Sequence, residues 1–142
     1  MPFLVRWPGK VKRGVSDALV SQIDFLTSFA AFTKQTLANA DAPDSQEVMA
    51  ALLGQTKPGR AHLVEQAGAL SLRVGQWKYI EPSRGQKFNA NTNTETGNDP
   101  EVQLYDLATD LGETRNVAAA QPTRVKEMQA LLQKIRQDGR SR

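Results

Sequence analysis

The stretch "LSLRVGQWKYI", Leu70 to Ile80, constrains the fold more than any other part of the chain. Leu70, Leu72 and Val74 alternate with other residues, so an extended backbone puts all three on one face. After Gly75 and Gln76 the alternation resumes with Trp77 and Tyr79. A two-residue connection with glycine first suits a type II′ turn, whose twist matches that of paired strands. The stretch therefore predicts a β-hairpin with one apolar face, and that face needs cover.

Neighbouring segments supply it. "HLVEQ" precedes the hairpin as a strand, and "VQLYDL" follows it as the last one. Pro122 then opens a final helix, at a position where a missing amide hydrogen costs nothing. Val125, Met128, Leu131, Leu132 and Ile135 form its buried stripe, directed at the sheet of residues 61–106. The expected class is α+β: an antiparallel sheet of about four strands packed by a C-terminal helix. The tail "DGRSR" reads as loose.

Residues 1–60 have another character. Phe3, Leu4, Val5 and Trp7 suggest a short strand closed by the turn "PGK". "SDALVSQIDFLTSFAAFTKQ" reads as an extended piece entering a helix that Ser21 caps. Ile23, Leu26, Phe29 and Thr33 fall at helical spacing, and Phe25, Ala31 and Phe32 widen the stripe. Ala38–Pro43 is a linker. Ser45 opens a second short helix over Val48, Leu52 and Leu53, with Gly54 at its C-cap. The expected division is 1–60 and 61–142. At 142 residues the chain suffices for one domain or a piece of a larger one, and opening inside a strand-like run favours the piece.

Residues 82–101 are polar, rich in Asn and Thr, and without apolar periodicity. Twenty such residues mark either a functional loop or a disordered one. Arg84, Lys87, Asn89 and Asn91 are its candidates for contact with anionic or hydroxylated ligands. Arg60 and His62, on and beside the "RAHLVEQ" strand, form a second candidate group.

Several function classes fall away. Cysteine is absent, which removes disulfides, thiolate metal sites and a cysteine nucleophile. The formal charge of +3 is dispersed and only nine aromatics are present, a poor basis for nucleic-acid binding. No apolar run is long enough to span a membrane, and the first fifteen residues lack the pattern of a signal peptide. His62, the one histidine, has no carboxylate cluster beside it to complete a zinc site, and reads first as a hydrogen-bonded strand residue. "DLATDLGETRN" lacks the spacing of a calcium loop; Asp110 and Gly112 shape a turn, and Asn116 caps a short helical segment. No nucleophilic triad and no phosphate-cradling loop can be assembled, so no metal and no catalytic residue is assigned to this chain.

Four stretches in sequence nevertheless resemble the C-terminal part of the sulfatases of the alkaline-phosphatase superfamily, the arylsulfatase type. They are "PFLVRWPGKVKRGVSDALVSQIDFL", "PDSQEVMAALLG", "LSLRVGQWKYI" with its R-x-G-x-W-K pattern, and "QLYDLATDLGETRNVA". Order and spacing hold from Pro2 to about Leu132. Leu111 stands where the family's turn usually has proline, and Thr27-Ser28 where Pro-Thr is common.

The resemblance implies a sulfuric ester hydrolase in which a formylglycine, matured from C/S-x-P-S-R, attacks sulfur while calcium stabilises the developing charge. Those groups lie in the larger N-terminal domain, and none is carried over to this chain. "YIEPSR" imitates the maturation signature, but Ile80 occupies the reactive position and has nothing to convert. By resemblance, residues 1–60 finish the large α/β domain, and residues 61–142 form the C-terminal subdomain, whose loops border the active-site entrance. The chain alone is then expected to be inactive, to contribute scaffold and substrate rim, and to expose apolar surface around Phe3–Trp7 and Phe25–Phe32 that favours self-association. The implied partner of the whole enzyme is a sulfated small molecule or glycan, and the implied location periplasmic or secreted. Two other readings stay open: a stand-alone binding or interaction module, and a fragment of a related phosphate or phosphonate ester hydrolase.

Overall fold

The computed structural model describes residues 3–38, 40–55 and 58–141. Pro2 of the first apolar run, Asn39 of the linker and Arg142 of the tail lie outside the described residues. The chain divides into two compact units, Met1–Ala61 with Arg140–Arg142, and His62–Gly139.

The second unit is the expected sheet and helix. Strands β1 (His62–Gln66), β2 (Leu70–Val74), β3 (Trp77–Ile80) and β6 (Gln103–Asp106) lie in the order β1-β2-β3-β6, all antiparallel. Val74 pairs with Trp77 across the hairpin, leaving Gly75 and Gln76 as the connection. Gly75 has φ +56°, a conformation open to glycine at little cost, as the first place of a II′ turn requires.

Helix α3 (Pro122–Asp138) begins at its proline and ends on Gly139. Its Met128 and Leu132 pack with Leu72, Tyr79 and Leu104 of the sheet, and all five are essentially buried. Each such side chain stabilises the unit by roughly 1.5–3 kcal/mol relative to exposure. The opposite sheet face carries a smaller cluster, Ala69, Ile80 and Tyr105. Burial raises the phenol pKa of both Tyr79 and Tyr105. The Tyr105 hydroxyl donates to Gln103 Oε1 at 2.8 Å.

In the first unit, α1 (Phe25–Phe32) follows a 3-10 turn over Gln22–Asp24, and α2 is Met49–Leu52. The Asp24 carboxylate accepts the Ser21 N–H at 3.1 Å, which closes the entry to the helix. Val48, Met49, Ala51 and Leu52 form a small core with Ala18, Val20 and Phe25.

Three expectations change here. Phe3–Trp7 forms no strand, because a strand needs a hydrogen-bonded neighbour and none lies beside this run among the described residues; the turn after it is present, with Lys10 and Val11 donating to the Trp7 carbonyl. Ser45 does not open α2, which starts four residues later; its hydroxyl instead accepts the Thr27 N–H at 3.2 Å. The tail is tied rather than loose: Ser141 donates its N–H to Asp44, and its hydroxyl accepts from Arg60 at 3.0 Å.

Helix α1 is oriented as an incomplete core requires. Its one buried residue is Ser28, whose hydroxyl accepts the Val48 N–H at 3.0 Å. Leu26, Phe29 and Phe32 are each about half exposed, as is Ile23 in the preceding turn. The helix therefore presents its polar side inward and its apolar side outward within this unit. Phe3 lies against Phe25 with ring centroids 5.5 Å apart, and Trp7 meets Phe32 edge-on at 5.4 Å. The expected apolar surface is there.

Candidate functional site

The polar segment 82–101 is held by hydrogen bonds where apolar anchors are lacking. It contains a second, two-stranded sheet, β4 (Phe88–Asn89) and β5 (Thr94–Glu95), joined by four residues. Asn93 takes positive φ there, as asparagine tolerates, and donates its N–H to the Asn89 carbonyl at 2.8 Å.

Asn98 fastens the base of this hairpin. Its side chain is buried, accepts the Ser83 hydroxyl at 2.7 Å and donates to the Gln86 carbonyl at 3.0 Å. Gly85 and Gly68 make room: a Cβ on either would stand 2.3 or 2.4 Å from Asn98 Nδ2. Further bonds run from Gly68 N–H to the Thr96 carbonyl and from Ser83 N–H to the Asp99 carbonyl. These hydrogen bonds tie the segment to the β1–β2 turn.

The predicted contact residues occupy different settings. Arg84, Lys87, Asn89 and Asn91 are all exposed on this segment. Lys87 stands 3.8 Å from Asp99, a loose pairing that leaves its charge in solvent. Asn89 Oδ1 accepts the Asn91 N–H at 2.9 Å, which shapes the hairpin end. His62 begins β1, partly buried and opposite Val74.

Arg60 is different. Its side chain is wholly buried in the first unit, with Nη1 2.5 Å from Asp24 Oδ1 and 3.1 Å from the Asp44 carbonyl, and Nη2 on Ser141. Asp24 also accepts from Gln46 N–H at 2.9 Å. A guanidinium enclosed in this way organises the chain around it.

Asp24 and Asn98 were absent from the sequence candidates. Asp24 had a signal, since Ser21 and Asp24 stand at the spacing of a capping pair. For Asn98 the only hint was Gly97 beside it.

On the far side of the sheet end, the turn after β6 is built on Asp110. Its carboxylate accepts the N–H groups of Thr114 and Arg115 and the Thr114 hydroxyl. These bonds, led by that from Thr114 N–H, hold its pKa below the ordinary value. Gly112 lies within the turn, and the left-handed residue is Glu113, at φ +54°, which reaches Lys78 on β3 at 2.6 Å. The N-cap of the short 3-10 turn Ala118–Ala120 is Val117 rather than Asn116; Asn116 stands one residue before it, and its Oδ1 accepts from Ala118 N–H and Leu104 N–H.

Neither cofactor implied by the resemblance fits the residues present. Among the described residues no three His, Asp or Glu side chains gather to hold a metal ion. The chain has no cysteine, and Ile80 stands where "YIEPSR" would need a convertible residue.

No protein-family model matches the chain. It is 46% identical over 138 residues to the N-acetylgalactosamine-6-O-sulfatase of Bacteroides thetaiotaomicron, covering 96% of this chain and 27% of that enzyme. Human arylsulfatase A is 31% identical over 151 residues, with 93% of this chain and 29% of the enzyme covered. A solved structure described under the metabolism of multiple glycosaminoglycans by Bacteroides thetaiotaomicron superposes with a TM-score of 0.88 at 46% identity, over 94% of this chain and 28% of that one. A crystal structure of Ps i-CgsB in complex with k-i-k-neocarrahexaose shares the fold, with a TM-score of 0.64 at 18% identity over 90% of this chain and 27% of that one. The chain thus spans little more than a quarter of the curated relatives it matches. Agreement of sequence and of fold over nearly its whole length puts this chain with the sulfatases, as the counterpart of their C-terminal part.

Proposed function

We propose that the chain serves a sulfuric ester hydrolase as scaffold and substrate rim, while the nucleophile and the calcium ligands of the working enzyme are carried by polypeptide outside the matched quarter. The observation that carries this reading is α1, whose Leu26, Phe29 and Phe32 face outward although Ser28 is buried. A helix oriented in this way needs a second layer, and the remainder of a large α/β domain supplies one. On this reading residues 1–60 complete that domain, and residues 61–142 form the C-terminal subdomain.

In the same reading, the anchored segment 82–101 borders the substrate. Arg84 and Lys87 offer cations to a sulfate or uronate, and Asn89 and Asn91 offer hydrogen bonds to hydroxyls. The 46% identical relative is named for a sulfated amino sugar, so sulfated glycans are the proposed substrate class. Arg60 supports the reading only as structure, because its guanidinium is enclosed.

Two measurements test it. Purified chain is expected not to turn over p-nitrophenyl sulfate; sustained turnover by the chain unaided would overturn the division of labour. In an NMR titration with N-acetylgalactosamine 6-sulfate, amide shifts are expected within 82–101 and to weaken in Arg84→Ala and Lys87→Ala. Shifts absent there would remove the rim and leave the scaffold reading untouched.

A further inference from the structure

Beyond that reading, a hollow beside the turn after β6 has the make-up of a small binding site. It measures about 280 Å³ and is lined by Trp77, Asp106, Thr109, Arg115 and Gln121, with Val117 and Ala120 as apolar wall. That volume falls just under the range of about 300–1,000 Å³ typical for drug-sized ligands, so a single ring fits the space.

The polar groups narrow the chemistry. Asp106 Oδ1 is occupied by Gln76 Nε2 and Ala108 N–H, each at 3.1 Å, while its Oδ2 carries no hydrogen bond among the described ones. Arg115 joins the turn through its backbone N–H; its exposed guanidinium acts on Asp110 by charge alone and donates no hydrogen bond among the described ones. Asp110, fixed by the turn, adds a second negative charge at the rim. Carboxylates that accept, a guanidinium and an amide that donate, and an indole for the apolar side of a ring answer to a polyhydroxylated neutral molecule. Two acids against one arginine in the lining disfavour an anion, and the charge of the neighbouring Arg124 is paired with Glu127 at 3.2 Å. Arg124, 5.5 Å from the indole centroid, helps hold the ring in place.

We propose that the hollow around Trp77 and Asp106 binds one unsulfated pyranose unit. It uses none of the residues of segment 82–101, so the proposed rim and this site can fail separately.

The test is a titration of the full chain, with its two tryptophans labelled and the signals assigned through Trp7→Phe, against galactose and N-acetylgalactosamine. The expected result is saturable movement of the Trp77 indole signal alone, with a Kd of roughly millimolar order. Arg115→Ala and Thr109→Ala are expected to weaken binding about fivefold each, as loss of one polar contact does, with unfolding midpoints unchanged. Three results overturn the proposal: no saturable shift of Trp77, a shift of equal affinity in both variants, or tighter binding of galactose 6-sulfate than of galactose.

Discussion

The guanidinium of Arg60 stands 2.5 Å from the carboxylate of Asp24, and neither side chain reaches solvent. The partners are 36 residues apart in the chain, and the same pair gathers the backbone at Gln46 and Asp44 and the hydroxyl of Ser141. One ion pair therefore joins the entry of α1, the approach to α2 and the returning tail.

Removing one member strands a buried charge, which costs roughly 3–5 kcal/mol. Arg60→Met and Asp24→Leu are each expected to lose about that much, measured by urea unfolding. The double variant should lose less than the two single losses combined, because it leaves no unpaired charge. Additive losses would mean that the ion pair does not organise this unit.

Asn98 performs the corresponding task for segment 82–101. Asn98→Ala leaves the Ser83 hydroxyl and the Gln86 carbonyl without their partner, at a cost of about 1–3 kcal/mol. Gly85→Ala should do comparable damage by contact, since its Cβ would lie 2.3 Å from Asn98 Nδ2. Hydrogen exchange is expected to quicken at Ser83 and Thr96 in both variants, while β2 and β3 keep their protection. Unchanged exchange at Ser83 and Thr96 would show that the hairpin is held by something else.

Asp110 links stability to acid. Its hydrogen bonds favour the charged form, so its folded pKa lies below the unfolded one. The stabilisation is therefore complete above the ordinary carboxylate range and is lost as pH falls through the depressed folded value. Asp110→Asn should lower stability at neutral pH and flatten the acid limb of the unfolding midpoint against pH. An NMR titration in which the Asp110 carboxyl titrates at or above the ordinary aspartate value contradicts this account.

What was legible in the amino-acid order follows from what periodicity measures. Alternation around Gly75-Gln76 identified the hairpin, and the Pro122 start with its stripe identified α3, because local backbone and burial agree there. Periodicity groups residues onto a face without saying which way that face points; that the apolar side of α1 is exposed followed from the resemblance to a larger enzyme, not from the spacing. Phe3–Trp7 has strand composition, yet pairing is a property of the neighbour. The β4–β5 hairpin rests on asparagine and threonine hydrogen bonds, which leave no apolar rhythm. Arg60 was selected for its charge, and its partner Asp24 was too distant in sequence to suggest burial.

The outward side of α1 gives the last prediction. Phe29 is 55% exposed and Phe32 49%, with Phe3 and Trp7 alongside them through the ring contacts of Phe25 and Phe32. Each ring makes one aromatic contact within its own unit, Phe29 with Phe25 and Phe32 with Trp7, so Phe29→Ser and Phe32→Ser should each cost about 1 kcal/mol and leave the unit folded. The same substitutions should remove much of the surface that binds a hydrophobic dye or a second copy of the chain. We therefore expect wild-type chain to bind ANS and to self-associate with rising concentration in sedimentation, and the double variant, while still folded, to do both less. A wild-type chain that stays monomeric and leaves ANS dark would mean that the apolar side is already covered, and with it the argument for a missing layer over α1 would fall.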